Sequence, residues 1–246
     1  MVPYNRIVVA APVHDPQLPP SGPERAALVQ EVFGRVAPSY DKVNHWMSLG
    51  QHQKWRTKAA AELQLKPGDR VLDVCCGTGD FLAALEPHVG PSGQVVGIDF
   101  APAMLDGAAA KGHPRLSLGD ATRLPIQTAS FDAVTIGWGL RNVADLDGAL
   151  RELARILKPG GRLACLDMTP SRHPLRQISD RVFHWLTPRL GRRVGMEQDY
   201  QYLVKSTDAF LDAASLSARL RAAGFDQIRV RTFMFGHIAL HIAQKS

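Results

Sequence analysis

The stretch VLDVCCGTGD, Val71–Asp80, decides how the chain is read. Val71, Leu72 and Val74 make a short apolar run, and Gly77, Thr78 and Gly79 follow it just ahead of a helical pattern. Glycines so placed let backbone N–H groups approach a ligand at a helix N-terminus, beyond the carboxyl end of a parallel strand. A dinucleotide fingerprint would set a third small residue where this chain has Leu82, and it would carry no acid ahead of the turn. Here Asp73 stands just before it. A carboxylate there suits a ligand with a positive amino group and repels a pyrophosphate. Cys75 and Cys76 raise a metal or redox alternative. Adjacent thiols point apart on an extended chain and lack the C-x-x-C spacing of a ligand pair, so both read as small packing residues beneath the ligand.

Outward from the turn, short β-branched runs alternate with longer helical patterns. DRVLDV precedes a helix from about Asp80, QVVGID one from Ala101, FDAVTIG one from Asp145, and RLACLDM one from Pro174. That rhythm predicts an α/β fold, a parallel sheet with helices on both faces. Upstream, ERAALVQEVFGRVA places Ala27, Val29, Val32, Phe33 and Val36 at helical spacing, with Pro38 as a stop. Residues 1–23, ending HDPQLPPSGP, are proline-rich and without apolar period, and are expected to form a loose tail. Near the end, a helix is expected from about Asp208 to Ala223, then two strands joined at Gly236, placing an antiparallel strand at one side of the sheet.

The chain's 246 residues, 45% hydrophobic and 21% charged, suit one domain from about residue 24 to 246. RIVVAAPV lacks the layout of a signal peptide, and no apolar run reaches the roughly 18 residues of a membrane span. Three cysteines without paired spacing fit a reducing compartment, so the expected location is cytoplasmic. Most of the net charge of +6 sits between Arg172 and Arg193, where six arginines face one acid, Asp180. Such a segment suits nucleic acid or an anionic membrane surface equally.

Two further acids accompany the turn. Asp99 closes QVVGID, where a carboxylate can accept from both hydroxyls of a ribose. Asp120, in LGDATRLP, falls near the end of the third strand and can accept from an adenine amino group while Ala121 offers its N–H. Each acid alone could be a helix cap. Together they have the arrangement of an S-adenosylmethionine site, and LKPGGRL, Leu157 to Leu163, is similar to the loop before the fifth strand of class I methyltransferases. On this reading Asp73, Gly77, Thr78, Gly79, Asp99, Asp120 and Ala121 are the cofactor-binding candidates.

Three longer blocks narrow the resemblance: VFGRVAPSYDKVNHWMSLGQHQKWR (Val32–Arg56), FDAVTIGWGLRNV (Phe131–Val143) and DYQYLVKS (Asp199–Ser206). Together they resemble the family that methylates the ring carbon of ubiquinone and menaquinone precursors, from about Val32 to the C-terminus. The resemblance implies a Rossmann-like fold with a seven-stranded, mostly parallel sheet, an antiparallel C-terminal strand, an N-terminal helical cap over about residues 24–62 and a basic insertion over about 171–206. It implies cofactor contacts at Thr78, Asp99, Asp120 and Ala121. Some members carry a contacting serine where this chain has Gly137. VCCGTGD is closer to the menaquinone and phylloquinone branches than to the ubiquinone branch, which favours demethylmenaquinol as acceptor, with a benzoquinol precursor, or both quinols, as the alternative.

Methyl transfer from a sulfonium needs alignment rather than a metal. The quinol carbon attacks well only when a ring hydroxyl loses its proton, and a phenol has a pKa of about 10. Arg141 and Asn142 follow the fourth strand and can bind a developing phenolate through charge-assisted bonds; the alternative is that they cap the helix near Asp145. Arg141 holds its own proton, so it would act as base only through a water. Asp41 and His52 are the alternative bases, with Tyr40 positioning the ring, unless His52 merely packs beside Trp55 and Asp41 caps a helix. His237 and His241 would lie about 13 Å apart in a strand, too far to share a metal, and read as surface or hairpin residues.

A prenylated quinol resides in lipid. Leu175, Ile178, Val182, Phe183, Trp185 and Leu186 recur at helical spacing among arginines, which suits a peripheral helix on the inner face of a membrane, or else a helix packed on the sheet with solvated arginines. A nucleic-acid acceptor is disfavoured, because GWGLRN stands where an Asn-Pro-Pro-aromatic block would follow the fourth strand, and no Pro-Cys nucleophile occurs. Another soluble acceptor, or a binding module without catalysis, remains compatible with the cofactor acids. A homo-oligomer is neither required nor opposed by the sequence.

Overall fold

The computed structural model describes residues 22–171, 174 and 176–246. Residues 1–21 of the expected N-terminal tail, and Arg172 and Leu175 of the basic segment, lie outside them; Gly22 and Pro23, expected in the tail, already belong to the first helix. Three helices come first: α1 (Gly22–Val36), α2 (Tyr40–Ser48) and α3 (Gln51–Glu62), with Pro38 in a 3₁₀ turn between α1 and α2. The alternating segment follows as β1 (Arg70–Val74), α4 (Asp80–Val89), β2 (Gln94–Asp99), α5 (Pro102–Ala110), β3 (Leu116–Leu118), β4 (Phe131–Gly137), α6 (Leu146–Ile156) and β5 (Leu157–Met168). Two further helices, α7 (Arg176–Arg193) and α8 (Glu197–Asp208), lead to α9 (Ala213–Ala222), β6 (Phe225–Phe233) and β7 (Ile238–Lys245).

The seven strands lie in the order β3-β2-β1-β4-β5-β7-β6. Pairs among β1 to β5 are parallel, and β7 runs antiparallel to both β5 and β6, as the C-terminal pattern predicts. Parallel strands covered on both faces must be apolar on both faces. The alternation of β1 meets that demand: Leu72 and Val74 pack with Leu150 and Leu153 of α6 and Leu216 and Leu220 of α9, whereas Val71 packs with Trp55 and Ala59 of α3 and Phe81 and Leu85 of α4. A third cluster joins the N-terminal helices to α5, α7 and α8 through Val36, Val43, Met104, Leu190, Tyr200 and Leu203. Strand order reverses at β1, with β2 on one side and β4 on the other. In open α/β sheets a crevice forms at the carboxyl ends of strands at such a switch point.

Three expectations need correcting. LKPGGRL is the start of β5 rather than a loop before it: Phe131 pairs with Leu157 while Ala133 pairs with Arg162, so the intervening residues bulge out of register. The helix expected from Asp208 is interrupted, because α8 ends there and α9 starts beyond Asp212, whose carboxylate accepts from Ser215 N at 2.8 Å. Phe210 and Leu211 pack against the core in the gap. Of the two readings of His237 and His241, the hairpin one holds and the surface one does not: they sit at the β6–β7 joint and in β7, both buried, with His241 Nε2 2.9 Å from Ala213 O.

Candidate active site

The turn after β1 is built from left-handed backbone. Cys75, Gly77 and Gly79 have φ of 56°, 55° and 87°. A Cβ at Gly77 would meet no atom within 4 Å, so its positive φ rather than crowding calls for glycine there, whereas a Cβ at Gly79 would strike the His113 ring. The two thiols separate as the sequence suggests. Cys75 faces the crevice, and Cys76 is buried against β2, where Gly97 leaves room for its sulfur. Burial, reinforced by nearby carboxylates, raises both thiol pKa values, so both stay protonated packing groups.

A crevice with about 670 Å³ of atom-free space, part of it open to solvent, lies at the switch point. Its lining includes Cys75 and Gly77 after β1, Asp99 at the end of β2, Asp120 and Ala121 after β3, Gly137 at the end of β4, and Trp138, Gly139 and Asn142 after it. Ala26, Val29 and Phe33 of α1 and Tyr40 of α2 close it from above. Asp99 is buried, which raises its pKa; its Oδ2 accepts from Gly77 N at 2.8 Å and its Oδ1 from Ala101 N at 2.9 Å. A carboxylate has about four acceptor positions, so this one retains capacity for ligand hydroxyls. Asp120 is exposed and accepts from Thr122 N at 2.8 Å.

Asp73 lies beneath the turn rather than in the crevice lining. It is 1% exposed and accepts from Thr135 Oγ1 at 2.6 Å. Burial pushes its pKa up to about 7 against the opposing pull of that bond. Thr78 also lies outside the lining: its hydroxyl donates to Asp41 Oδ1 at 2.5 Å and accepts from Lys111 Nζ at 3.1 Å. Gly137 does line the crevice, and a Cβ there would come within 2.9 Å of the Phe81 ring. Phe81 therefore occupies the space that a serine at this position would need.

Of the five candidate catalytic residues, Tyr40 and Asn142 line the crevice and Arg141, Asp41 and His52 do not. Arg141 Nη1 pairs with Asp167 Oδ1 at 2.6 Å and donates to Trp138 O at 2.8 Å, and the side chain is 4% exposed. The helix-cap alternative fails, because Asp145 itself caps α6 by accepting from Gly148 N at 2.9 Å. Asn142 Nδ2 donates to Trp138 O at 3.2 Å. Trp138 takes φ 57°, a strained value for a bulky residue, which aims its carbonyl at both side chains.

Asp41 and His52 belong to a polar strap between the N-terminal helices and the glycine turn. Lys111 bridges Asp41 at 2.6 Å and Asp80 at 2.9 Å; Asp80 also faces Arg56 at 3.5 Å and His52 at 3.6 Å. His52 Nδ1 lies 2.7 Å from Arg56 Nη1, and burial, then Arg56, lowers its pKa to about 4. It is neutral near pH 7, with that nitrogen engaged by the guanidinium. Arg56 in turn stacks on the Trp138 ring, 4.4 Å from its centroid.

Sequence reasoning passed over Asp167, Trp138 and Tyr202. Asp167 reads as the end of an apolar strand, although an acid there was a usable signal. Trp138 reads as part of a motif rather than as the carbonyl that accepts from Arg141 and Asn142, and Tyr202 as one residue of the block DYQYLVKS.

Known proteins share this architecture. A methyltransferase structure from Thermotoga maritima, described as a possible histamine N-methyltransferase, superposes with a TM-score of 0.66 at 20% identity, over 89% of this chain and all of that one. A Haemonchus contortus phosphoethanolamine N-methyltransferase superposes with a TM-score of 0.60 at 16% identity, over 82% of this chain and 56% of that one. Both speak to the fold. In sequence, the chain is 40% identical over 225 residues to a demethylmenaquinone methyltransferase of Lactobacillus johnsonii, and 39% identical over 223 residues to one of Staphylococcus aureus. Each alignment spans 88% of this chain and 92% of the relative. Residues 22–245, which hold the crevice, the strap and the sheet alike, match the ubiE/COQ5 methyltransferase family, and the chain belongs to it.

Proposed function

We infer that this protein transfers a methyl group from S-adenosylmethionine to the ring carbon of demethylmenaquinol, giving menaquinol. The observation that carries the reading is identity of about 40% to demethylmenaquinone methyltransferases across 88% of the chain. The residues present fit the cofactor: a buried carboxylate at Asp99 that lines the crevice, the glycine turn at Gly77, and Asp120 with Ala121 in the crevice lining. In the proposed arrangement Asp99 accepts from ribose hydroxyls, Asp120 and the Ala121 N–H meet the adenine edge, and Asp73 with Thr78 and Gly79 shapes the turn for a cationic amino acid end.

S-adenosylmethionine supplies an electrophilic methyl group on a sulfonium and leaves as a neutral thioether. What the protein must add is a quinol in its phenolate form, held in line. Tyr40 and Asn142 are the groups placed to do this. Burial raises the Tyr40 pKa, so its hydroxyl keeps its proton and acts as a donor that orients the ring. Asn142 is neutral and has an N–H beyond the one given to Trp138. Two neutral donors lining the crevice stabilise a developing oxyanion without competing for its proton.

The prenyl chain of the acceptor requires contact with a lipid surface, and α7 is the proposed peripheral element. Ile178, Val182 and Trp185 stand exposed on one face of it, while Phe183, Leu186 and Leu190 pack inward. No described helix is long and apolar enough to cross a membrane. The decisive assay supplies S-adenosylmethionine with short-chain demethylmenaquinol, beside a benzoquinol precursor, under reducing conditions. Methylated menaquinol is expected, in excess over any methylated benzoquinol; no methylated product from either would overturn the assignment.

A further inference from the structure

Tyr202, on α8, reaches from the C-terminal helices to the loop after β4, with its hydroxyl 3.3 Å from Asn142 Oδ1. The direction of this contact is fixed by a third group. Trp138 O can only accept, so the Asn142 atom facing it must be the amide nitrogen, and the atom facing Tyr202 must be the carbonyl oxygen. The hydroxyl therefore donates. Burial raises the Tyr202 pKa, with Arg25 and Arg141 opposing, so the proton for that bond is retained. Held from both ends, the amide has one N–H left, and Asn142 lines the crevice.

We propose that Tyr202 is a positioning residue that locks the Asn142 amide so its remaining N–H faces the oxygen of the acceptor ring. The proposal rests on the quinol methylation reading for the identity of that oxygen. Without the lock the amide can rotate and present its carbonyl oxygen, which would repel a phenolate. Neither Tyr202 nor α8 contributes to the crevice lining, so the hydroxyl acts on the reaction through Asn142, its hydrogen-bond partner.

The test uses the full chain with Tyr202→Phe, which keeps the ring and removes the hydroxyl. Asn5, Asn44 and Asn142 are the only asparagines, so ¹⁵N-asparagine labelling gives few side-chain amide signals, and that of Asn142 is the one lost in Asn142→Ala. In Tyr202→Phe the Asn142 amide signals should move. With short-chain demethylmenaquinol, kcat should fall roughly tenfold while S-adenosylmethionine affinity stays unchanged. The acid limb of the kcat profile should shift to higher pH, because a less stabilised phenolate forms less readily. The double variant Tyr202→Phe/Asn142→Ala should be no slower than Asn142→Ala. Unmoved amide signals, or losses that multiply in the double variant, would overturn the proposal. If the wild-type protein methylates no quinol, the functional reading falls, and the amide signals alone still decide whether Tyr202 holds Asn142.

Discussion

At the level of single residues, the consequential finding is that Arg141 is committed to Asp167. A buried guanidinium whose Nη1 lies 2.6 Å from a carboxylate cannot be removed without stranding the acid. Breaking such a pair costs about 3–5 kcal/mol. Arg141→Ala should therefore lower the urea midpoint as well as methyl transfer, and its activity loss alone would not identify a chemical role. Arg141→Met combined with Asp167→Asn removes both charges and keeps an acceptor for the shorter of the two backbone bonds Asp167 receives, that from Met168 N at 2.8 Å. That pair of changes should recover most of the lost stability while turnover stays more than about tenfold below wild type, if the Arg141 charge helps hold the phenolate. Recovery of turnover along with stability, read by urea titration and product assay on the same preparation, would make Arg141 a structural residue. The sequence showed Arg141 and Asn142 as a polar pair after a strand. It could not show that a carboxylate 26 residues later neutralises one of them.

At the level of elements, what the sequence made legible follows from how local the signal is. β1, β2 and β4 are readable because β-branched runs carry their own pattern, and the helix start near Asp145 is readable too, although its cap is Asp145 itself rather than Arg141 and Asn142. The β5 bulge is not, since register is set by the partner strand. Nor is the strap, which joins Asp41, Asp80 and Lys111 from three helical segments far apart in sequence. For α7 the sequence showed the apolar spacing but could not divide it into inner and outer faces. The structure makes that division: Ile178, Val182 and Trp185 are 62%, 53% and 57% exposed, and Arg189 lies over the Trp185 ring at 4.2 Å. An exposed apolar stripe with arginines is the layout of an interfacial helix, whose binding combines apolar burial with attraction to anionic lipid. Co-sedimentation with anionic vesicles should fall as salt rises, and Trp185→Ala should weaken it severalfold while S-adenosylmethionine binding is unchanged. Binding indifferent to lipid charge, salt and Trp185 would remove α7 from any membrane role.

At the level of the whole molecule, the buried titratable groups set opposing trends of stability with pH. His52 has its pKa lowered to about 4 from an ordinary 6.5, so between those values the unfolded chain holds a proton that the folded one does not. Its contribution is fully present above about pH 6.5 and is lost as pH falls through 4. His237 and His241 are lowered too, by burial, and act in the same direction. Asp73 has the opposite sign. Raised to about 7 from 3.8, it holds a proton in the folded protein that the unfolded chain has released, so its contribution is present at low pH and declines as pH rises from about 4 to 7. The two trends overlap from about pH 4 to 6.5 and partly cancel, which should leave the wild-type urea midpoint only weakly dependent on pH there. Single substitutions should separate them. Asp73→Asn keeps an acceptor for Thr135 and removes the acid, so its midpoint should drop on acidification more steeply than that of the wild type. His52→Gln should do the reverse. The same carboxyl also links to the ligand: a cationic sulfonium or ammonium near the turn favours the ionised form of Asp73, so S-adenosylmethionine should bind more tightly as pH rises towards 7 and should release a proton on binding. Calorimetry in buffers of different ionisation enthalpy reads that proton directly. A wild-type protein that binds with no proton release, or an Asp73→Asn variant that releases just as much, would place the titrating group elsewhere.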